Sequence, residues 1–441
     1  MTDTEKKPEP ISITPLLQRL AYPSAGEIKV SAEEIGAAFA LIFEDRLSTV
    51  QTAALLTLLH STGLDRDAAV IAVCSRRMRE AATAVPKRSL RALLNKRSLR
   101  EGGYNGGLCD IVGTGGDGHS TFNVSTTASI IASPLLMTAK HGNRSQTSFS
   151  GSADVLTSMA PVAPKIGAIT AENIVQVYER TNYAFLFAPT FHPGMRYANP
   201  VRRALGLRTI FNLMGPLSNP IEWAIEARVV GVAYQQLGPV FADALRMGGA
   251  KKALVVCGEE DMDEISCAGG TNCWRLTEYP NPAYKGPVND PATANDGDDD
   301  EEEDEEDEDE EGNPRTLVKI DTFKLHPSDF GFPTHPLSDV FSKKLPEDNA
   351  KMLMSILRNE LPRDHPILHF VLMNVAALLV ISGVCDADTS NMGPGDDGNV
   401  ITERGPGGGR WKEGVRRARW AIESGAALKQ FEQFIEVTNE L

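Results

Sequence analysis

A short apolar run that ends in a glycine-rich turn constrains this chain most. Residues 108–117 read LCDIVGTGGD, so three glycines follow directly on a strand-like segment. Glycine carries no Cβ, and a turn of this kind therefore lets backbone N–H groups approach a ligand closely. A glycine turn at the carboxyl end of a strand is typical of α/β folds that bind phosphate groups.

The turn differs from the two best-known phosphate-binding motifs. It lacks the acidic residue that a Rossmann site places after its second strand, and no Gly-Lys-Ser/Thr follows as in a Walker A loop. The alternative is an ordinary strand-to-helix turn. Residues 120–127 argue against it, because STFNVSTT supplies five hydroxyls and an amide. Capping a helix uses one hydroxyl, whereas several at a helix start can bind phosphate or magnesium.

A second polar block begins at Lys140. Residues 135–139 are expected to form a short buried strand, and Lys140 would emerge at its carboxyl end, where open α/β sheets bind ligands. Gly142 permits a tight turn after it. The polar rim that follows consists of Asn143, Arg144, Ser145, Thr147, Ser148 and Ser152. A Lys, an Asn and hydroxyls beside a glycine turn suit a doubly phosphorylated, magnesium-bound ligand.

With these blocks in this order, the chain resembles the anthranilate phosphoribosyltransferases of tryptophan biosynthesis. The resemblance runs from about residue 13 to the end. Its further blocks are SGSADVL at 150–156, FAP at 187–189 with HP at 192–193, VRR at 201–203, RTIFNLMGPL at 208–217 and DEIS at 263–266. It implies transfer of the 5-phosphoribosyl group from phosphoribosyl pyrophosphate to the amine of anthranilate, with release of pyrophosphate.

The resemblance also implies a role for individual residues. The phosphoribosyl donor would contact Gly113, Gly116, Asp117, Thr121, Asn123, Ser125, Thr126, Lys140, Asn143, Ser148 and Ser152. Anthranilate would contact Gly113, His141, Asn143, Ala188, Pro189, His192 and Arg202. The cofactor Mg²⁺ would be held by Ser125, Asp263 and Glu264. The catalytic set would be Lys140, Asn143 and Arg202.

Elementary chemistry agrees with two of these roles. Asp263 and Glu264 pair two hard oxygen ligands after the strand-like residues 253–257, and magnesium prefers one or two carboxylates plus substrate phosphates. Arg202 offers a planar fork that matches a carboxylate. Arg203 beside it could play the same part, so the residues alone leave the choice between the two open.

The architecture is expected to be α/β, with a small N-terminal helical domain and a large α/β domain that has a mainly parallel sheet. Capping boxes at Ser31 with Glu34 and at Ser48 with Gln51 predict two of the early helices. Short apolar runs alternate with helical segments after residue 108. The resemblance sets the helical domain at 11–92, joined by roughly 200–217, and the α/β domain at 107–441. It also implies a homodimer.

One segment accounts for the whole net charge of −15. Fifteen acidic residues lie within 296–311, and without them the net charge of the chain is zero. Such a run cannot bury apolar surface, so we expect a disordered acidic insertion at 289–314. A Gly/Asp-rich insertion at 387–410 and the segment 97–107 are also expected to lie on the surface.

Composition narrows the function classes further. Six scattered cysteines show neither metal-ligand nor disulfide spacing, the polar start carries no signal-peptide core, and the longest apolar stretch, 370–381, is too short for a membrane span. We therefore expect a cytoplasmic enzyme without a membrane or nucleic-acid partner, acting on small molecules.

Two other functions remain possible at this level. A pyrimidine nucleoside phosphorylase shares the architecture and a glycine-rich phosphate turn, but the KHGNR block and the acidic pair favour the transferase. A non-catalytic relative that binds nucleic acid would need a basic face, and the balanced charge outside the acidic run offers none.

Overall fold

The computed structural model describes residues 9–23, 28–97, 99–145, 150–286, 309, 312–341 and 345–441. Two features singled out in the sequence analysis fall on residues that the structure does not describe. Ser148 and nearly all of the acidic run lie outside the described residues. The rest of the predicted site is described.

The chain begins with a helical unit. Its helices are α1 (Thr14–Ala21), α2 (Ala32–Phe43), α3 (Thr49–Thr62), α4 (Ala68–Glu80) and α5 (Lys87–Arg97). The predicted capping box starts α2, since Ser31 accepts the N–H of Glu34 and the Glu34 carboxylate accepts the N–H of Ser31. This exchange satisfies two backbone donors that a helix end leaves free.

The second capping box is only half formed, so that prediction was partly wrong. Ser48 does accept the N–H of Gln51 and caps α3. The side chain of Gln51 instead accepts the N–H of Ile13, at 3.2 Å. The glutamine therefore ties the start of α1 to α3, a long-range contact that a local motif cannot reveal.

A seven-stranded sheet forms the second unit within the described residues. Its strands are β1 (Leu108–Gly113), β2 (Met137–Gly142), β3 (Tyr183–Phe187), β4 (Ile225–Gly231), β5 (Lys252–Gly258), β6 (Thr271–Pro280) and β7 (Thr316–Leu325). The order is β3-β2-β1-β4-β5-β6-β7. The strands from β3 to β5 in this order pair in parallel, and β6 and β7 are antiparallel. The expected fold class, with its mainly parallel sheet, is confirmed.

The remaining α-helices of the described chain lie between the strands and after them. They are α6 (Val124–Ala132), α7 (Ser152–Thr157), α8 (Ile174–Arg180), α9 (Ala188–Phe191), α10 (Met195–Leu205), α11 (Phe211–Met214), α12 (Leu237–Met247), α13 (Pro346–Leu357), α14 (Pro366–Ser382), α15 (Trp411–Glu423) and α16 (Ala426–Glu440). Almost every residue of α14 is buried, so the apolar stretch 370–381 is a core helix. Among the described residues, no helix is long and apolar enough to cross a membrane.

The central strands divide the interior into two cores. On β4, Val229 faces the larger core and Val230 the smaller, and on β5 Leu254 and Val255 alternate in the same way. The smaller core joins these strands to the helical unit. It also takes in the segment 198–217, whose Phe211 ring lies 4.7 Å from that of Phe39 in α2. Buried residues of this segment therefore pack against the early helices.

The expectation that 97–107 lies wholly on the surface was wrong for Tyr104. Its side chain is 1% exposed, and its hydroxyl donates to the carbonyl of Gly107 and accepts the N–H of Met137. An aromatic ring buried in this way anchors the entry to β1. By contrast, the ends of β6 and β7 pair Pro280 with Thr316, so the acidic run connects two neighbouring strands.

Candidate active site

The glycine turn leaves β1 at the carboxyl edge of the parallel strands. Gly113 is the last residue of β1 and pairs with Gly231 of β4. A Cβ on either glycine would collide with Asp263, so both positions need glycine for Asp263 to approach. Gly115 and Gly116 have φ values of 65° and 79°, a left-handed conformation that favours glycine. The glycines of this turn are therefore required by close packing as well as by turn geometry.

The turn is followed by α6, whose start also faces the site. Asn123 caps the helix, since its side-chain oxygen accepts the N–H of Thr126. Ser125 is partly exposed, while its neighbours Val124, Thr126 and Thr127 are buried. Ser125 lines the site, whereas Thr126 is fully buried.

Two adjoining cavities lie at this edge. The larger, of about 310 Å³, is lined by ten of the predicted residues: Gly113, Gly116, Ser125, Lys140, His141, Asn143, Ser152, Ala188, Pro189 and Arg202. The smaller, of about 130 Å³, is lined by Ser125 again and by Asp117, Thr121, Asn123, Asp263 and Glu264. Of the predicted residues that the structure describes, Thr126 and His192 line neither cavity. Sequence reasoning missed Met195, Asn199 and Phe211 in the larger cavity.

Lys140 lies inside β2 rather than after it, because the strand runs to Gly142, where it pairs with Phe187 of β3. Its side chain is only 2% exposed, and Nζ donates to the carbonyl of Ile111 at 2.7 Å. Burial lowers the pKa of Lys140, while the carboxylates of Asp110, Asp263 and Glu264 act in the opposite direction. The ammonium group is therefore held beneath the glycine turn by a carbonyl of the neighbouring strand β1.

Asp110 and Asn219 support this arrangement, and sequence reasoning missed both. Asp110 is 1% exposed and accepts a hydrogen bond from the Asn219 amide at 3.1 Å. The same amide donates to the carbonyl of Ala139 on β2. Burial raises the pKa of Asp110 and the charge of Lys140 counteracts the rise. A lone acidic residue inside the apolar run LCDIV was the signal available in the sequence.

Three carboxylates meet at the smaller cavity. Asp117, Asp263 and Glu264 each offer an oxygen, and these atoms lie within 4.8 Å of one another. Burial and then the charge of Asp117 raise the pKa of Asp263 to about 7, and burial and Asp263 raise the pKa of Glu264. Within the described chain, Oε2 of Glu264 is buried without a hydrogen-bond partner. Crowded carboxylates of this kind fit a hard divalent cation, which would offset their repulsion.

Two histidines lie against each other at the larger cavity, which His141 lines and His192 does not. The rings of His141 and His192 are 5.2 Å apart. His141 Nδ1 faces the carbonyl of Gly215 and His192 Nε2 that of Ser218, so each imidazole donates there. Burial lowers the pKa of His141 well below its ordinary value and that of His192 to about 4. Both rings are therefore neutral near pH 7.

The structure distinguishes the two adjacent arginines. Arg202 lines the larger cavity and lies 5.0 Å from the ring of Phe211. Burial lowers the pKa of Arg202 to about 10, which still leaves it charged at neutral pH. Arg203 is exposed and lines only an outer cavity of about 600 Å³. A carboxylate in the larger cavity would therefore meet Arg202.

Known sequence patterns and proteins match the chain along most of its length. The pattern described as "Glycosyl transferase family, a/b domain" matches residues 105–284 and 297–428, and the "helical bundle domain" pattern of that family matches 15–82. The anthranilate phosphoribosyltransferase of Schizosaccharomyces pombe is 35% identical over 412 residues, which is 93% of this chain and 94% of that protein. The chain belongs to the anthranilate phosphoribosyltransferases.

Solved structures of this family have the same fold. The anthranilate phosphoribosyltransferase from Saccharomyces cerevisiae, solved in complex with PRPP and Mg, aligns with a TM-score of 0.72 at 26% identity, covering 97% of this chain and 98% of that one. The enzyme from Thermus thermophilus aligns with a TM-score of 0.67 at 28% identity, covering 96% and 99%. These relatives confirm the resemblance found in the sequence and favour the transferase over a nucleoside phosphorylase.

Proposed function

We propose that this chain transfers the 5-phosphoribosyl group of phosphoribosyl pyrophosphate to the amine of anthranilate. The new bond joins the amine nitrogen to C1 of the ribose. The bond from C1 to the pyrophosphate oxygen breaks, pyrophosphate keeps the electron pair, and the amine loses a proton. The observation that carries the proposal is that the glycine turn, the three carboxylates and Arg202 converge on two adjoining cavities.

The donor would bind across both cavities. The glycine turn with the start of α6 supplies backbone N–H groups to the pyrophosphate, and these donors stabilise the charge that develops as it leaves. The charge of Lys140 adds to this field from beneath the turn. Asn143 and Ser152, which also line the larger cavity, would hold the ribose and its 5-phosphate. Ser148 belongs to this set by the family resemblance.

Mg²⁺ would be held by Asp263 and Glu264, with Ser125 contributing from α6. The support is the crowding of these carboxylates, their raised pKa values and the partnerless oxygen of Glu264. Asp117 belongs to the same cluster, a role that sequence reasoning did not give it. When bound, the ion neutralises charge on the departing pyrophosphate. A yeast relative solved with PRPP and Mg also supports the assignment.

Anthranilate would lie deeper in the larger cavity, against Gly113, Ala188 and Pro189. Arg202 would receive its carboxylate through a bidentate pair of hydrogen bonds. An aromatic amine is already unprotonated at neutral pH, so attack needs no base beforehand. His141 is neutral, and its Nε2 is buried without a partner in the described part of the chain, so it can take up the proton as the new bond forms.

The two cores support a division into domains only in part, because the buried Leu90, Leu93 and Leu94 of α5 belong to the larger core. We propose a helical domain at 11–92 together with 200–217, and an α/β domain at 107–441 that carries insertions at 289–314 and 387–410. A homodimer through the helical domain is supported by the exposed apolar side chains of Tyr22 and Val50. Six free, buried cysteines suit the reducing cytoplasm, where we place the enzyme.

Loss of anthranilate fluorescence tests the reaction directly. The purified chain should consume anthranilate only when phosphoribosyl pyrophosphate and magnesium are both present, and pyrophosphate should appear in equal amount. A parallel reaction with thymidine and inorganic phosphate should give no free base. Release of thymine without consumption of anthranilate would assign the chain to the phosphorylases instead.

A further inference from the structure

Arg208 lies over the glycine turn, although no known role accounts for it. Its Nη2 donates to the carbonyl of Gly115 at 3.1 Å. A Cβ added to Gly116 would overlap the guanidinium group, so this group lies directly against Gly116. The two residues in the hydrogen bond are 93 positions apart in the chain. The contact therefore comes from the tertiary fold.

The loop that carries Arg208 is itself fixed. It connects α10 to α11, and the next residue, Thr209, is 3% exposed. The N–H of Thr209 donates to the side-chain oxygen of Asn212 at 3.0 Å. This segment packs on the helical unit through Phe211. Arg208 thus reaches from the helical side of the molecule to the phosphate-binding side.

A second side chain holds the neighbouring carbonyl. The hydroxyl of Tyr234, which follows β4, donates to the carbonyl of Gly116 at 3.3 Å. In a planar trans peptide the N–H points away from the carbonyl of the preceding residue. Fixing the carbonyls of Gly115 and Gly116 therefore fixes the directions of the N–H groups of Gly116 and Asp117.

These two N–H groups are suited to an anion. Neither donates to another residue in the part of the chain that the structure describes. Successive N–H groups in a left-handed turn form a concave site that binds anions such as phosphate. The flanking Gly115 N–H is engaged with Asp263, at 2.7 Å. The turn is thus held from three sides, with two donors still available.

We infer that Arg208 is a positioning residue for the diphosphate donor, holding the Gly115 and Gly116 carbonyls so that the next two N–H groups face pyrophosphate. This inference rests on the proposed function for the identity of the ligand. Arg208 would act through the backbone turn, with Tyr234 as its partner. Arg203, which is exposed near the end of α10 and lines the same outer cavity, provides a matched control for charge.

The test compares Arg208→Ala, Arg208→Lys, Tyr234→Phe and Arg203→Ala. Calorimetry with magnesium pyrophosphate gives the dissociation constant, and steady-state kinetics gives KM for each substrate. Loss of a charge-assisted hydrogen bond predicts a rise of about tenfold or more in the pyrophosphate Kd and the donor KM of Arg208→Ala. The KM for anthranilate should change less than about twofold, since Gly115 and Gly116 are not among the residues proposed to contact the acceptor.

The conservative variants separate positioning from simple charge. A lysine can donate to the Gly115 carbonyl but cannot cover Gly116 as a planar fork does, so Arg208→Lys should recover part of the affinity. Tyr234→Phe should raise the pyrophosphate Kd about threefold or more, as a lost neutral hydrogen bond predicts. Arg203→Ala should leave both constants within about twofold, because screening limits an exposed charge.

Two results would overturn the inference. One is an unchanged pyrophosphate Kd in Arg208→Ala and Tyr234→Phe, and the other is an equal effect from Arg203→Ala. If Arg208→Ala does not fold, Arg208→Lys and Tyr234→Phe decide the matter by the same constants. The wild-type fluorescence assay keeps the two proposals separate. A wild type that binds pyrophosphate through Arg208 but leaves anthranilate untouched would refute the function and not this role.

Discussion

The Asp263 carboxylate accepts the backbone N–H of Gly115 at 2.7 Å, which joins the proposed metal ligand to the glycine turn. Gly113 and Gly231 permit this approach, because a side chain on either would collide with Asp263. The acidic pair and the glycine turn, which are 148 positions apart in the sequence, are therefore one site. A cation bound by Asp263 would influence the same backbone that binds the phosphate.

Neutralising the acidic pair should weaken magnesium binding without disturbing the fold. Asp263→Asn with Glu264→Gln keeps the shape of both side chains and removes two charges. Mutation of a residue that only supports a metal ligand lowers metal affinity about 10-fold to 100-fold. Loss of two direct ligands should therefore lower the affinity for magnesium by at least about tenfold. Magnesium titration followed by calorimetry measures this. Glu259→Gln, in the same turn but exposed and paired with Lys324, should bind magnesium like the wild type.

Asp263→Asn, made alone, should remove a pH effect on stability. The pKa of Asp263 is raised to about 7, so in the absence of magnesium its protonation stabilises the fold at low pH. That stability is lost between the unfolded pKa, near 4, and the folded pKa, at about 1.4 kcal/mol per pH unit. Asp263→Asn should remove this loss when unfolding is followed from pH 4 to 8 in EDTA. Parallel wild-type and variant curves would contradict the assignment.

Removing Arg202 should affect the acceptor selectively. Arg202→Ala deletes the fork proposed to hold the anthranilate carboxylate, a charge-assisted hydrogen bond worth about 1.5–3 kcal/mol, or roughly tenfold to a hundredfold in affinity. The KM for anthranilate should rise by this factor and that for phosphoribosyl pyrophosphate far less. Arg203→Ala is the control. Equal changes in both KM values, or an effect from Arg203→Ala alone, would move the role elsewhere.

The sequence predicted the parts of the fold and of this site that depend on local pattern. The glycine turn, the cap at Ser31 and the acidic pair each have a chemical meaning that neighbouring residues reveal. Arg208 and Asn219 were missed, because their importance comes from contacts with segments far away in the chain. Lys140 was predicted to emerge after its strand. Pairing between β2 and β3 extends the strand past it, and no single-strand pattern encodes that pairing.

The buried His192 should make the fold sensitive to acid. Burial lowers the pKa of His192 to about 4, so below about pH 6.5 the unfolded chain binds a proton that the folded chain does not. Stability is therefore complete above that pH and falls, as the pH is lowered towards 4, by about 1.4 kcal/mol per unit. Urea unfolding of the wild type and His192→Gln should show this difference in slope. Equal slopes would mean that His192 is protonated in the folded state.

Removing the acidic run should leave an active enzyme. The run connects β6 to β7, and Pro280 and Thr316 are cross-strand partners, so a short linker can join the strands. Screening limits the reach of the acidic charges to about 8 Å at physiological salt. Replacing 296–311 with a Gly-Ser linker should therefore leave turnover similar, with any change in the donor KM fading as salt is raised.

A second variant separates the charge from the turn that ends the run. Asp309 accepts the N–H of Lys285 and that of Asn313, so replacing only 296–308 keeps these contacts. Both variants should unfold within a few degrees of the wild type, and the one that retains Asp309 should be the more stable. Loss of activity or of folding in both at moderate salt would show that the acidic run is structural. Loss in the longer replacement alone would assign the effect to Asp309.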